Sequence, residues 1–144
     1  MVTCGDTSFL FSLYGNDINS PKAVAWATAA TGPISLSPYN TFELGNALRF
    51  AEFRKVIPPG YAALYWSQFE AATNQGRLVV ALCNLADVLD VATRLSSART
   101  VVGGHRSFDI LHVACALVLG ADEFLTFDAN QKKLAESEGL IVTG

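Results

Sequence analysis

The chain has 144 residues, of which 51% are hydrophobic and 16% charged, with a formal net charge of -3. That length suits one ordinary domain that buries its core without disulfides, and the apolar share excludes a disordered chain. No apolar run reaches the roughly 18 residues of a membrane span, and the acidic balance excludes the broad basic surface of a protein that coats phosphate backbones.

So little charge fits either a surface covered by a partner or second copy, or helices crowded with alanine. Cys4, Cys83 and Cys115 lie in apolar stretches without a CxxC pair, which predicts buried free thiols in a reducing compartment. The two histidines, His105 and His112, are not spaced with them as zinc ligands. The opening Met-Val-Thr-Cys-Gly-Asp lacks the basic and apolar regions of a signal peptide, so the expected location is cytoplasmic.

Residues 2–5 form a short apolar strand ending at Asp6, with Thr7 and Ser8 as helix caps before the apolar run Phe9 to Tyr14. Gly15, Asn16, Asp17 and Asn19 are turn residues, and Pro21 opens a second helix reaching about Ala30. Ile34 to Ser37 is a short strand ended by Pro38. From Tyr39 to about Lys55 the apolar positions Phe42, Leu44, Ala47, Leu48 and Ala51 follow a helical period. Pro58-Pro59-Gly60 breaks the chain before a helix from Tyr61 to Asn74.

The unbroken apolar run Leu78 to Cys83 predicts a strand covered on both faces. Asn84 caps a helix running to about Ser97, Thr100 to His105 is a glycine-containing loop, and Ser107 caps a helix running to Leu119. A strand over 123–126, a helix over 129–138 and a strand over 140–143 complete the chain. Strand and helix signals alternate throughout. The expected fold is therefore a three-layer α/β domain spanning 1–144, with a mostly parallel sheet flanked by helices.

Four carboxylates stand at strand ends or at helix starts that follow strands: Asp6, Glu43, Asp109 and Asp128. In an open parallel sheet such positions gather outside the carboxyl ends of the strands. Grouped carboxylates repel one another, and a hard divalent cation with oxygen preference relieves that repulsion. Such an ion activates water, and a second stabilises a leaving oxygen at phosphorus. The simpler alternative gives each residue a local role, with Asp6 and Asp128 as helix caps, Asp109 complementing a helix dipole and Glu43 on an exposed helix face.

Four motifs carry a family resemblance that extends over nearly the whole chain. They are Gly5-Asp6-Thr7-Ser8-Phe9-Leu10, Thr41-Phe42-Glu43-Leu44, the run Ser107-Phe108-Asp109-Ile110-Leu111-His112-Val113-Ala114-Cys115-Ala116, and Phe124-Leu125-Thr126-Phe127-Asp128. Together they resemble the PIN-domain nucleases, most closely the VapC-like toxins of type II toxin-antitoxin modules. The resemblance implies that Asp6, Glu43, Asp109 and Asp128 bind magnesium or manganese and that the reaction is endonucleolytic cleavage of RNA. It also implies a homodimer, and a cognate antitoxin that brings a basic residue to the acidic cluster.

Around these four, Thr126 is placed to orient a carboxylate or a water, and Thr7 and Ser8 to bond near the site or cap the helix. Arg106 is a candidate for a phosphate or for the acidic cluster. Asn130 is a weaker candidate. His112 lies one helical turn beyond Asp109 and invites a role as base, but its apolar neighbours favour packing. Arg49, Arg54 and Lys55 fit either an RNA-guiding surface or an ordinary solvated face. Tyr61, Tyr65 and Phe69 form one helical stripe suited to an interface or to the core. Gly103-Gly104 lacks the spacing and lysine of a phosphate loop. The competing functions are an inactive PIN-like binding module, a domain phosphorylated on Asp6 (which lacks the neighbouring Asp and Lys such sites use) and a scaffold.

Overall fold

The computed structural model describes residues 1–144. Five short strands form one sheet: β1 (Thr3–Gly5), β2 (Ile34–Leu36), β3 (Leu78–Val80), β4 (Glu123–Leu125) and β5 (Ile141–Thr143). Every pairing is parallel and the order is β3-β2-β1-β4-β5, so β1 lies at the centre. Cys4 is in register with Ser35 on one side and Phe124 on the other.

Helices cover both faces. The first four are α1 (Thr7–Tyr14), α2 (Ser20–Ala29), α3 (Pro38–Phe53) and α4 (Tyr61–Asn74), followed by α5 (Leu85–Leu95). A π-helical turn over Ser96–Thr100 and a single α-turn, α6 (Val101–Gly103), lead to α7 (Ser107–Val118) and α8 (Ala129–Ser137). Neighbouring strand residues point to opposite layers. Leu125 joins the core of Phe9, Leu10, Leu44, Leu48 and Phe69 contributed by α1, α3 and α4. Phe124 joins the core of Val88, Leu95, Val113, Ala114 and Leu134 contributed by α5, α7 and α8. The expected three-layer parallel architecture is the one observed.

Local expectations differ in several places. The strand read across Leu78 to Cys83 ends at Val80, and Val79 and Val80 are 44% and 39% exposed. It is one of the two edge strands, only Leu78 of it is buried, and the apolar run does not signify cover on both faces. Of the loop expected over 100–105, residues 100–103 are instead the end of the π-helical turn and α6, stopped by Gly104 in the left-handed region at φ 66°, while Gly104 and His105 are loop as expected. Thr7 and Ser8 do not cap α1. Asp6 does, accepting the Phe9 N–H. Arg106 occupies the N-cap position of α7 without a capping side-chain bond, so Ser107 is not its cap. Asn84 caps α5 as expected, through the Asp87 N–H.

Candidate active site

Asp6 leaves the central strand at its carboxyl end, where its backbone N–H still bonds to Leu125 O at 3.0 Å. Its carboxyl is 4% exposed and accepts three hydrogen bonds. Oδ1 takes the Phe9 N–H at 3.0 Å and the Ser8 hydroxyl at 2.7 Å, and Oδ2 takes the Thr126 hydroxyl at 2.5 Å. The two hydroxyls are used alike. Ser8 Oγ accepts the Phe127 N–H at 3.1 Å, and Thr126 Oγ1 accepts the Asp128 N–H at 3.0 Å. An ionised carboxylate can only accept, so each hydroxyl directs its proton at Asp6 while accepting a backbone N–H. Burial nonetheless dominates, and it pushes the Asp6 carboxyl above its ordinary range against the opposing bonds from Thr126, Ser8 and Phe9.

The loop after β4 is thereby fastened to Asp6 by two side chains. Asp128, the N-cap of α8, follows at once, its Oδ1 accepting the Asn130 and Gln131 N–H groups at 2.8 and 2.9 Å. Oδ2 has no partner in the protein. Asn130 turns away, donating to Gly104 O at 3.4 Å and lying 3.3 Å from His105 Nδ1.

Glu43 stands on α3, with Oε1 2.9 Å from His112 Nε2 on α7. Burial raises its pKa, but hydrogen bonds from His112 and Thr7 outweigh that and hold the carboxylate below its ordinary range. Asp109, in the first turn of α7, has no ion-pair partner among the salt bridges of the protein. Its carboxyl is held above the usual range by burial first and then by the charge of Asp128, with Glu43 adding to it and the Arg106 guanidinium opposing. Arg106 thus lies within electrostatic range of Asp109 without pairing to it.

The site therefore draws acidic side chains from the ends of β1 and β4 and from the starts of α3 and α7. As they stand, no three acidic, histidine or cysteine side chains gather into a ligand set for one ion. Their chemistry still fits a hard divalent cation, since the donors are all carboxylate oxygens and Asp109 carries unrelieved repulsion from two of the others.

Residues 4–137 match the sequence model of the PIN domain. The chain belongs to the PIN-domain family. No curated protein sequence matches it significantly. Among solved structures it is similar to VapC20 of Mycobacterium tuberculosis, a sarcin-ricin loop cleaving toxin, with a TM-score of 0.65 at 15% identity over 96% of each chain. It is similar to VapBC2 of Rickettsia felis, solved bound to a DNA fragment from their promoter, with a TM-score of 0.67 at 14% identity over 99% of this chain and 98% of that one. FitAcB of Neisseria gonorrhoeae gives a TM-score of 0.65 at 15% identity over 99% and 97%. At such identities these likenesses establish a shared fold.

Within this PIN domain, two residues matter more than the sequence suggested. His112 is 2% exposed, and it is not merely packed, because both ring nitrogens are engaged. Asn40 is the second. Its side chain is buried and ties Ser37 in a capping box to the Gly5 carbonyl and to His112. The available signal was its spacing, three residues after a Ser-Pro helix start and three before Glu43, which puts it on Glu43's face of α3.

The other candidates resolve individually. Arg49 lies over the Trp66 ring at 5.7 Å and Arg54 over Phe50 at 5.8 Å, which favours the ordinary-surface reading of that helix. The stripe on α4 divides. Phe69 is core, whereas Tyr61 is exposed and meets Tyr65 edge-on.

Proposed function

We propose that this PIN domain is a divalent-metal-dependent endoribonuclease and the toxin of a toxin-antitoxin module. Asp6, Glu43, Asp109 and Asp128 would hold magnesium or manganese. The observation that carries the reading is the state of Asp109, whose carboxyl is held up by burial first and then by the charges of Asp128 and Glu43, side chains that come from different elements. Carboxylates kept in mutual repulsion cost stability unless a cation uses them. Family membership and the fold shared with VapC20 support the same reading.

When bound, such an ion supplies the charge that activates water and stabilises the leaving oxygen of a phosphodiester. The chain's own residues set the stage. Ser8 and Thr126 fix the Asp6 carboxylate and leave it one unfilled acceptor direction. Asp128 keeps Oδ2 clear by spending Oδ1 on the α8 cap. Arg106 places a guanidinium beside Asp109 for a phosphate of the RNA. The acidic surface limits such phosphate contacts to a few and suits a protein partner with a basic segment. We extend the proposal to a cognate antitoxin as that partner, to a homodimer, to one domain over 1–144 and to a cytoplasmic setting.

The test is cleavage of total cellular RNA by purified, antitoxin-free protein with magnesium or manganese, against chelator and Asp6→Asn controls. Discrete cuts that vanish in both controls are expected. Absence of cuts from folded protein with either metal overturns the ribonuclease reading. It favours a PIN-domain binding module instead, the reading to which the ungathered ligand set gives some support.

A further inference from the structure

Asn40 has its amide orientation fixed by its neighbours. Its Oδ1 accepts the Ser37 N–H at 3.0 Å and faces the Ser37 hydroxyl at 3.1 Å. The NH2 group is thereby turned the other way, 3.1 Å from the Gly5 carbonyl and 3.1 Å from His112 Nδ1. An amide NH2 has two donors and no acceptor. Gly5 O can only accept, so one hydrogen goes there. The other points at Nδ1, which must present its lone pair. A neutral imidazole then carries its proton on Nε2, the nitrogen 2.9 Å from Glu43 Oε1.

We infer that Asn40 locks His112 as the neutral Nε2–H tautomer, making His112 a positioning residue for Glu43 rather than the general base. With Nδ1 occupied by the amide and Nε2 carrying its proton, the ring has no free lone pair for a proton from water. What it does is hold Glu43 through Oε1. The same amide grips the carbonyl immediately before Asp6, so one side chain sets the relation between two of the four carboxylates. Such partners behind a ligand typically change metal affinity by about 10–100-fold when removed. The lock itself rests on hydrogen-bond geometry; its effect on metal affinity rests on the metal-nuclease reading above.

Long-range 1H–15N NMR of the metal-free protein reads the tautomer directly. Wild type is expected to show His112 with protonated Nε2 and unprotonated Nδ1. Asn40→Asp sets an acceptor against Nδ1 and is expected to move a proton onto that nitrogen. Manganese binding, followed by electron paramagnetic resonance without RNA, is expected to weaken about tenfold in His112→Leu and to recover largely in His112→Gln, whose amide keeps a donor. A wild-type ring protonated on Nδ1 overturns the lock, and this spectrum needs no variant to fold. Folded His112→Leu that binds manganese like wild type, while Asp6→Asn loses it, overturns the positioning role. If Asp6→Asn also binds like wild type, the metal reading is what fails, and the tautomer spectrum alone decides the lock.

Discussion

Asp6 and Asp109 stand in the same acidic site under opposite regimes. Asp6 is nearly sealed from solvent and accepts three hydrogen bonds, from the Phe9 N–H and the Ser8 and Thr126 hydroxyls. Asp109 is half-exposed, has no ion-pair partner and meets the charges of Asp128 and Glu43. Both carboxyls are raised, the first chiefly by desolvation against its own hydrogen bonds, the second by desolvation with like charge added. One side of the site is thus preorganised and rigid, and the other is left repulsive, which is what an arrangement awaiting a cation requires.

Breaking the rigid side has the largest expected effect. Asp6→Asn removes a charge that nothing in the protein replaces. RNA cleavage is expected to fall by more than about 100-fold, beyond the range of outer-shell changes. The amide keeps the acceptor for Phe9 and Ser8, and it relieves the burial of charge. Stability at neutral pH in chelator is expected to rise by about 1 kcal/mol, about 3 °C in Tm. A loss of stability in a calorimetric scan contradicts the view that Asp6 is held for function at the cost of folding.

Thr126→Val cuts the tie between Asp6 Oδ2 and the Asp128 N–H. Activity is expected to drop about 10–100-fold, with about 1–3 kcal/mol of stability lost because the buried groups on both sides go unpaired. Thr126→Ser, which restores the hydroxyl, separates that bond from packing. If Val and Ser variants cleave equally well, the hydroxyl is not what holds the site together.

The pH profile sharpens the same contrast. The folded pKa values of Asp6 and Asp109 lie above their ordinary 3.8, so the folded state binds extra protons between that value and the raised ones. Through these two groups, metal-free protein gains stability as pH falls through that window. Glu43 and Glu138 are lowered from 4.5. Their contribution is present above 4.5 and is lost as pH falls through the folded values. Asp6→Asn with Asp109→Asn is expected to abolish the acid-side gain in denaturant midpoints while leaving the later loss. A double variant that tracks wild type across pH counts against the assignment.

The smallest effect lies away from the site. Glu138 joins Arg94 at 3.0 Å and Arg99 at 2.9 Å, tying α5 and the π-helical turn to the end of α8, with both arginines partly in solvent. Glu138→Ala is expected to cost about 1 kcal/mol and to leave cleavage unchanged. A comparable loss of activity would show that the site depends on how that turn is held.

What the sequence disclosed follows from how far each interaction reaches along the chain. Alternating strand and helix signals depend on local period and on breakers such as Pro58-Pro59-Gly60, and the architecture they implied is the one found. The four carboxylates were conspicuous because they interrupt apolar surroundings. Asn40 was not, since a polar residue in a helix start looks ordinary until α7 brings His112 against it, 72 residues later. The apolar run from Leu78 misled for a related reason. Whether a strand is central or at the edge depends on its neighbours in the sheet, and composition does not carry that. The charge of Arg106 is plain in the sequence, but no local pattern tells that it stands beside Asp109 without pairing.

The placement of β1 also bears on the order in which the protein is made. Its central strand is synthesised before the other four, yet one flank can pair only with β4, in register Thr3 with Glu123 through Gly5 with Leu125. On the ribosome that flank stays open until β4 has emerged, and Thr126 and Asp128 follow directly after it. A growing chain therefore carries Asp6 and Glu43 without the residues that complete their surroundings. The acidic site therefore closes only after β4 has emerged, well after Asp6 and Glu43 are in place.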